Sequence, residues 1–397
     1  MNNASTTKVS TEWLCNSNEA VEIQLHQSNY KDRFSPNFTY PIFGKHEQIY
    51  GYKNLKIKLY YASGSLSTYF NVSFDQKITE ITPVAQPDDV IGKIKEFIPK
   101  DFTTNYDTFL NIVESDSLNF RPMGEKIDEY YTRRNDNGDD TVYEIYKTNF
   151  NTPKFKEFHR RLQIFALFYI EGASYIDEDD EKWEIALLFE KKNTSGTHIY
   201  NLVGYCTMYA YFYCDRGKIT SVEKSLPQNS TLSHDIRMRI SQFLILPPYQ
   251  SQGHGNKLYQ SLYQSFLANS LIKEITVEDP NEPFQDLRDK NDLRYLIDSK
   301  LLENIQLPVD KQAVENTRHK CRLNKRQMAR CLEIYLLRKL NKTNEKSYKN
   351  YRLHVKERLF RHNEDALNQL SREERLQKLE ETYRDVEDDY QRILLLL

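Results

Sequence analysis

The chain has 397 residues and a mass of 47.2 kDa, and 39% of its residues are hydrophobic. A sequence of this size and composition can bury the cores of two or three domains, which excludes a wholly disordered protein. The formal net charge is −2 and the pI about 6.5, which excludes a uniformly basic nucleic-acid coat and an acidic solvating chain. We therefore expect no direct contact with nucleic acid.

The near-neutral total hides a charge gradient along the chain. Residues 101–200 contain 12 lysines and arginines against 20 aspartates and glutamates, whereas residues 301–350 contain 12 against 5. The first block is suited to a cationic partner and the second to an anionic one.

Cysteines and apolar runs restrict the compartment. The five cysteines form no C-x-x-C pair and no zinc-spaced cluster with histidine, so the sequence predicts free thiols and no metal. No apolar run approaches the ~18 residues that a membrane span needs. We expect a protein of the cytoplasm and the nucleus that has no membrane partner.

The N-terminal part alternates between strand and helix patterns. Apolar alternation predicts strands at 21–25 and 55–61, the second forming a hairpin around Gly64. Two short helices are predicted at 88–97 and 105–113. Acidic loops follow, so residues 1–140 are predicted to form an α/β domain on the substrate and partner side.

A helix and an antiparallel sheet are predicted next. Thr152 as N-cap and Pro153 in the first turn begin a helix whose apolar residues recur at spacings of three and four up to Tyr169. Three successive antiparallel strands are predicted after it, with turns at Gly196 and Gly217, within residues 183–246.

The last predicted strand precedes a helical C-terminus. The strand covers 272–277 and is stopped by Pro280. Beyond Leu307 the sequence is helical and rich in Leu, Glu and Arg. The predicted domains are therefore an N-terminal domain at 1–140, a catalytic domain at 141–304 and a helical domain at 305–397.

Two of the scarce glycines lie in the motif Gln250-x-x-Gly253-x-Gly255, between a predicted strand and a predicted helix. Such a turn exposes backbone N–H groups at the positive end of a helix dipole, so it can seat a pyrophosphate. The dinucleotide motif G-x-G-x-x-G is absent because Leu258 replaces its third glycine. A tight turn without a ligand is the alternative.

The motif is similar to the acetyl-coenzyme A signature Q/R-x-x-G-x-G/A of the GNAT superfamily of N-acetyltransferases, and residues 243–246 resemble the fourth strand of that fold. Residues 170–177, 277–280 and 287–289 resemble the catalytic subunits of type B histone acetyltransferases, particularly the fungal ones. The resemblance runs from Phe43 to Arg330. It implies an α+β fold with a central mixed GNAT sheet and flanking helices, between an N-terminal α/β domain and a C-terminal helical domain.

The resemblance implies acetyl-coenzyme A (acetyl-CoA) as co-substrate and no metal. The cofactor's pantetheine would run along the fourth strand, and the glycine turn would hold its pyrophosphate. The positions that match cofactor contacts are Phe243, Leu244, Ile245, Gln250, Ser251, Gln252, Gly253, His254, Gly255, Asn256, Asn281 and Arg288.

The resemblance also implies catalytic residues. An acceptor lysine has a solution pKa of ~10.4 and must lose a proton before it attacks a thioester, so a base is required. Glu278 matches the family's general base, and Asp279 and Glu171 match acids that assist it. From the residues alone, Glu171 fits a solvated helix end better than a functional role, whereas Glu278 fits a proline-terminated turn and a functional role equally well.

Four positions match contacts to the peptide substrate: Glu47, Tyr209, Ala210 and Tyr211. A cationic tail suits carboxylates and tyrosine rings through steering and cation–π contact. Lys45 and His46 stand where the pattern would have a further acid. Core packing is the alternative role of the tyrosines.

The resemblance implies a histone lysine acetyltransferase that modifies the tail of newly made histone H4, with histone 2A as a further acceptor. The resemblance implies association with H3, a WD-repeat subunit that holds the histone, and a role in chromatin regulation and DNA damage. The sequence leaves two alternatives open. One is a non-enzymatic histone-binding scaffold, and the other is acetylation of a protein N-terminus or a polyamine.

Overall fold

The structure is a computed structural model, and it describes residues 12–27, 30–133, 140–194, 197–213 and 235–397. Its strands are β1 (Leu14–Asn16), β2 (Val21–Gln27), β3 (Tyr30–Phe34), β4 (Gln48–Tyr50), β5 (Tyr52–Lys53), β6 (Lys56–Ala62), β7 (Thr68–Ser73), β8 (Gln76–Lys77), β9 (Glu125–Arg133), β10 (Asp140–Asn149), β11 (Trp183–Thr194), β12 (Thr197–Phe212), β13 (Ile236–Ile245) and β14 (Ile272–Val277).

The described helices are α1 (Ser17–Ala20), α2 (Tyr40–Phe43), α3 (Val90–Lys95), α4 (Tyr106–Asn119), α5 (Phe155–Leu162), α6 (Ile164–Tyr169), α7 (His254–Ala268), α8 (Glu282–Asp298), α9 (Lys311–Cys321), α10 (Lys325–Lys339), α11 (Glu345–His362), α12 (Glu364–Leu367) and α13 (Arg372–Leu395). The fold is α+β, as predicted. No helix in the described ranges is long and apolar enough to cross a membrane. The predicted turns at Gly196 and Gly217 lie outside the described residues.

The chain divides into two units. Unit 1 contains the described residues up to 209 together with 240–261, and unit 2 contains the described residues of 210–239 and 262–397. These boundaries differ from the predicted domains 1–140, 141–304 and 305–397, and that division stays a prediction. Strands β12 and β13 and helix α7 each contribute residues to both units.

Unit 1 contains two larger sheets. One has the order β3-β2-β6-β7, in which β2 and β6 are parallel, and the predicted hairpin of β6 and β7 is confirmed. Helix α4 covers this sheet with a core that includes Tyr60, Tyr69 and Phe109. The other has the order β9-β10-β11-β12-β13, with antiparallel pairs from β9 to β12.

The predicted helix from Thr152 to Tyr169 is two helices in the structure. Its N-cap is Lys154, at a φ of 64°, so the prediction of Thr152 was wrong. Gln163 separates α5 from α6, and the amide of Ala166 donates to the carbonyl of Gln163, a tighter turn than an α-helix makes.

In unit 2 the end of β12 and the start of β13 are followed by β14. Ion-paired residues advance together along both strands, Asp235 with Lys273 and Arg237 with Glu274, so β13 and β14 run parallel. This makes the sheet mixed. Helices α8 to α13 form the rest of the unit, and the side chains of Tyr351, Tyr383 and Tyr390 are fully buried among them.

Candidate active site

The glycine motif forms an open turn between β13 and α7. A 3₁₀ turn over Pro247–Tyr249 leaves the strand, and Ser251 and Gly253 then have φ values of 60° and 88°. The second is a conformation that glycine adopts without strain. A Cβ on Gly253 would meet nothing within 4 Å, so the backbone of the turn borders open space.

Backbone donors converge at this turn. The N–H groups from 251 to 255 have no acceptor among the described residues. Helix α7 begins at His254 and has 15 residues, so its dipole adds positive potential at the same place, and Gly255 and Asn256 lie in its first turn. The donors and the space in front of them fit a pyrophosphate.

The two glutamines of the motif brace the turn from within. The side-chain amide of Gln250 donates to the carbonyl of Ile245 over 2.8 Å, and that of Gln252 donates to the carbonyl of Pro248 over 2.9 Å. These side chains hold the shape of the turn, and its anion-binding groups are backbone N–H groups.

Strand β13 alternates in burial before the turn. Leu244 is buried, whereas Phe243 and Ile245 are half-buried and lie on the opposite face. The amide of Leu246 donates to Val203, and a Cβ on Gly204 would come within 2.5 Å of the Leu244 carbonyl. The glycine therefore permits close approach of β12 to this part of β13.

His254 points inward, although it belongs to the motif. Its side chain is 2% exposed, and its Nδ1 lies 2.7 Å from the hydroxyl of Tyr130. The ring of Tyr143 lies 4.4 Å away between centroids. Burial lowers the pKa of His254, with a smaller opposing effect of Glu190. The group that His254 presents at the open side of the turn is therefore its backbone N–H, while its ring anchors the turn.

Glu278, the predicted base, follows β14 in unit 2. Its Oε1 lies 3.3 Å from Nη2 of Arg239, and its side chain is 39% exposed. The guanidinium of Arg239 lies 4.6 Å from the ring centroid of Tyr211, a predicted substrate contact that follows Ala210 on β12. The structure thus joins Glu278 and Tyr211 through Arg239, which the sequence analysis missed.

The other predicted residues of unit 2 lie around the start of α8. Asp279 is exposed at a φ of 33°, and Asn281 caps α8 by accepting a hydrogen bond from the amide of Phe284. Arg288 is only 4% exposed, with Nη2 3.5 Å from the Ile275 carbonyl. The cofactor contact of Arg288 that the resemblance implies stays a prediction.

Glu47 and Glu171 are linked in unit 1. Oε1 of Glu47 accepts hydrogen bonds from the amides of Thr39 and Tyr40, at 2.7 and 3.1 Å. The hydroxyl of Tyr40 accepts one from the amide of Gly172 over 2.7 Å. Tyr40 therefore ties the turn of the exposed Glu171 to the segment that Glu47 holds, a contact between residues too distant in sequence to be predicted.

Tyr209 is held by the acidic loop before β11. Its hydroxyl donates to Asp180 over 2.7 Å, and its ring packs edge-on against Trp183 at 4.8 Å. Asp180 and Trp183 were not singled out from the sequence. Within the described ranges, no group of three or more His, Cys, Asp or Glu side chains could hold a metal ion.

These features define a class. A mixed sheet, a strand that opens into a glycine turn with free N–H groups, and a carboxylate after the next strand are the features of a GNAT acyltransferase that uses an acyl-coenzyme A.

Comparisons with known proteins identify the family. Residues 13–171 match the family model described as "Histone acetyl transferase HAT1 N-terminus", and 289–341 match "Fungal HAT1, C-terminal". The type B histone acetyltransferase catalytic subunit of Cryptococcus neoformans is 40% identical over 96% of this chain and 97% of its own. The human type B histone acetyltransferase catalytic subunit is 33% identical over 96% of this chain and 93% of its own.

The chain therefore belongs to the family of type B histone acetyltransferase catalytic subunits. It is an acyltransferase with acetyl-CoA as co-substrate. The solved structure of Arabidopsis thaliana NAA60 in complex with acetyl-CoA is 15% identical, covering 38% of this chain and 84% of its own at a TM-score of 0.26.

Proposed function

We propose that this protein transfers acetyl groups to lysines in the N-terminal tail of newly synthesised histone H4, with histone 2A as a further acceptor. The relatives from Cryptococcus and human carry the name histone acetyltransferase, which supports the acceptor class. The observation that carries the proposal is the partly exposed carboxylate of Glu278, ion-paired with Arg239 beside the ring of Tyr211.

Glu278 is the general base in this proposal. It takes a proton from the acceptor ammonium, and the lysine nitrogen then attacks the thioester carbonyl directly. A C–N bond replaces the C–S bond, and coenzyme A leaves. A lysine with a pKa of ~10.4 has almost no free lone pair at pH 7, so the transfer depends on this base. Arg239 fixes the direction of the carboxylate.

The surface charge of unit 1 supports a cationic acceptor. Glu171, Asp177 and Glu181 are exposed, and none has an ion-pair partner within 4 Å among the described residues. By contrast, Glu178 pairs with Arg160 and Asp179 with Lys156. The unpaired carboxylates attract a lysine-rich tail by long-range electrostatics that salt weakens.

A Glu278→Gln variant tests the base. The amide keeps the shape of the side chain but cannot take the proton, so kcat on an H4 tail peptide at pH 7 should fall by ~10²–10⁴-fold. Calorimetric binding of acetyl-CoA should be unchanged. Glu282→Gln, at an exposed position of α8, is the control and should keep full activity. A fully active Glu278→Gln enzyme would exclude Glu278 as the base.

An acceptor panel tests the substrate. We expect kcat/KM for the H4 tail to exceed the value for an N-terminal peptide, because the three unpaired carboxylates favour a long cationic chain. It should also exceed the value for spermidine, which is cationic but has no peptide backbone to hydrogen-bond with the protein. Faster turnover of either competitor would assign the enzyme to that amine.

The assembly is part of the proposal. We expect a WD-repeat subunit and histone H3 to bind together with H4, and the enzyme to occur in cytoplasm and nucleus and to act in chromatin regulation and the DNA damage response. Affinity purification of the tagged chain from its own cells tests the partners, and fractionation of those cells into cytoplasm and nucleus tests the compartments. Recovery without histones or a WD-repeat protein would contradict the assembly.

A further inference from the structure

Unit 1 contains a cavity of about 470 Å³ beside the cofactor turn. Tyr249, Gln252 and His254 line it from the turn, Asp32 from β3, and Glu190 and Lys192 from β11. Its volume lies within the range of small-molecule sites, ~300–1,000 Å³.

The wall on the β11 side is a fixed polar network. Glu190 is 4% exposed, and its Oε2 is 3.0 Å from the ammonium of Lys192 and 3.0 Å from the side-chain amide of Asn201. The hydroxyl of Tyr249 donates to the same oxygen over 3.4 Å. Such a network fixes its side chains, so the wall is built before any ligand arrives.

Two polar groups of the lining have no protein partner. Nε2 of His254 is buried without a hydrogen-bond partner in the described structure. Asp32 makes no side-chain hydrogen bond or ion pair with any described residue. The lining contains two carboxylates, those of Asp32 and Glu190, and one ammonium, that of Lys192, so it has a net charge of −1. The unpartnered carboxylate of Asp32 and the net negative charge of the lining favour a cationic ligand.

We infer that this cavity binds a small aliphatic amine in its ammonium form. An ammonium carries one positive charge and three N–H donors. It can donate to the carboxylate of Asp32, the charged group of the lining that has no described partner. The rings of Tyr143 and Tyr249 add faces for a cation. The alkyl chain fills the remaining volume.

Occupancy of this cavity tightens coenzyme A binding. Tyr249, Gln252 and His254 belong to the turn whose N–H groups face the pyrophosphate, and β3 packs against the 3₁₀ turn. A ligand that fills the cavity beside them restricts the motion of the turn further before the cofactor arrives. Coupling between two sites is reciprocal, so each ligand raises the affinity for the other by the same factor.

Calorimetry with the full chain tests both statements. n-Butylamine at neutral pH should bind saturably, and 1-butanol, its neutral isostere, should not. Coenzyme A, which permits no turnover, should bind at least about fivefold tighter in saturating n-butylamine. Absence of saturable n-butylamine binding would overturn the site, and an unchanged coenzyme A affinity would overturn the coupling.

Three variants locate the site. Asp32→Asn should weaken n-butylamine binding about tenfold. Asp107→Asn, at an exposed position of α4 outside the cavity, should not. Lys192→Gln removes the internal ammonium and leaves Glu190 for the ligand, so n-butylamine should bind this variant more tightly than the wild type. Saturating n-butylamine should also raise the melting temperature of the variant more than it raises that of the wild type. Equal affinities in all four proteins would place the amine elsewhere and overturn the inference.

Discussion

The backbone and the side chain of His254 have different roles in the glycine motif. Its backbone begins α7 at the turn, while its ring is enclosed by Tyr130, Tyr143 and Tyr249. The sequence predicted a cofactor contact from the position alone. Tyr130 lies 124 residues away along the chain, so its contact with His254 had no local signal.

His254→Ala should weaken cofactor binding without affecting the chemical step. Without its ring the turn is less fixed, so the dissociation constant of acetyl-CoA should rise about tenfold, equivalent to ~1.4 kcal/mol, while kcat stays within about twofold. Calorimetry and steady-state kinetics measure the two effects. His46→Ala, at an exposed position, is the control. Unchanged affinity in the first variant would mean that the ring does not anchor the turn.

Arg239 is the residue at the proposed catalytic carboxylate that sequence reasoning missed. It alternates with Arg237 on β13, and each arginine pairs with a glutamate and lies near a tyrosine ring: Glu278 and Tyr211 for Arg239, Glu274 and Tyr213 for Arg237. The alternation was visible in the sequence. Which arginine meets Glu278 depends on the register of β13 and β14, which composition does not specify.

The two arginines give a matched test. Arg239→Gln should lower kcat on an H4 peptide about tenfold or more, because Glu278 loses the partner that orients it, and the KM for acetyl-CoA should not change. Arg237→Gln removes the same charge two residues earlier on the same face of β13 and should leave kcat within about twofold of the wild-type value. Equal losses in both variants would indicate a general effect of strand charge.

At the scale of elements, the sequence predicted periodic patterns well and interruptions poorly. The β6–β7 hairpin follows from alternation, and the strands β11 to β14 follow from apolar runs between turns. The break at Gln163 does not, because Phe158, Leu162 and Phe165 are all buried and keep the helical spacing across it. Helix α8 was also missed, since its buried face includes charged residues such as Asp289 and Asp292 that mask an apolar pattern.

Asp289 connects helices of unit 2. It is 0% exposed and accepts hydrogen bonds from Gln285, Gln327 and Arg330, at 2.6, 2.9 and 2.5 Å. Arg330 also pairs with Asp389 on α13. One buried carboxylate on α8 therefore fixes α10 and, through Arg330, α13.

Asp289→Ala should be strongly destabilising. It leaves the half-buried guanidinium of Arg330 with one carboxylate fewer and removes the acceptor of Gln285 and Gln327, and breaking a pair that has a buried carboxylate costs ~3–5 kcal/mol. Urea unfolding followed by circular dichroism measures the loss. Asp298→Ala, at an exposed position of the same helix, should change the free energy of unfolding by less than ~0.5 kcal/mol. A loss below about 1 kcal/mol for Asp289→Ala would mean that this network contributes little.

Over the whole molecule, part of the charge of the two blocks is paired with other residues of the protein. Arg318 and Arg330, in the basic block, pair with Glu274 and Asp289, which lie outside it. In the acidic block, the buried Glu144 pairs with Lys191. The basic block was predicted to suit an anionic partner. These two arginines stabilise unit 2 through contacts between residues far apart in sequence, which composition does not reveal. An anionic partner for the rest of the block stays a prediction.

The buried histidines of the described residues are distributed unevenly between the two units. Among the described residues, His26, His159 and His254 are buried, and all three lie in unit 1. Burial, the largest cause, lowers the pKa of His26 and of His159 to about 4 from 6.5. Each stays neutral in the folded state at a pH where the unfolded chain binds a proton. Unit 1 should therefore lose stability as the pH falls from about 6.5 towards 4.

Acid should consequently separate the unfolding of the two units. At pH 5, His159 alone removes about 2 kcal/mol, from a folded pKa of about 4 and an unfolded one of 6.5. Both tryptophans, Trp13 and Trp183, lie in unit 1, so fluorescence reports that unit, whereas the long helices of unit 2 contribute strongly to circular dichroism. Between pH 7 and 5 the fluorescence midpoint in urea should fall more than the dichroism midpoint.

His159→Phe is the matched variant for this prediction. His159 lies between Phe150 and Phe155, with ring centroids 4.9 and 5.9 Å away, so an apolar ring of similar size suits its site. The phenylalanine ring cannot take up a proton, so the variant should lose less stability than the wild type on acidification. The gap between the fluorescence midpoint and the dichroism midpoint should therefore narrow. His46→Phe, at an exposed position, should leave the gap unchanged. Coincident midpoints at pH 5 in the wild type would show that unit 1 does not carry the acid sensitivity.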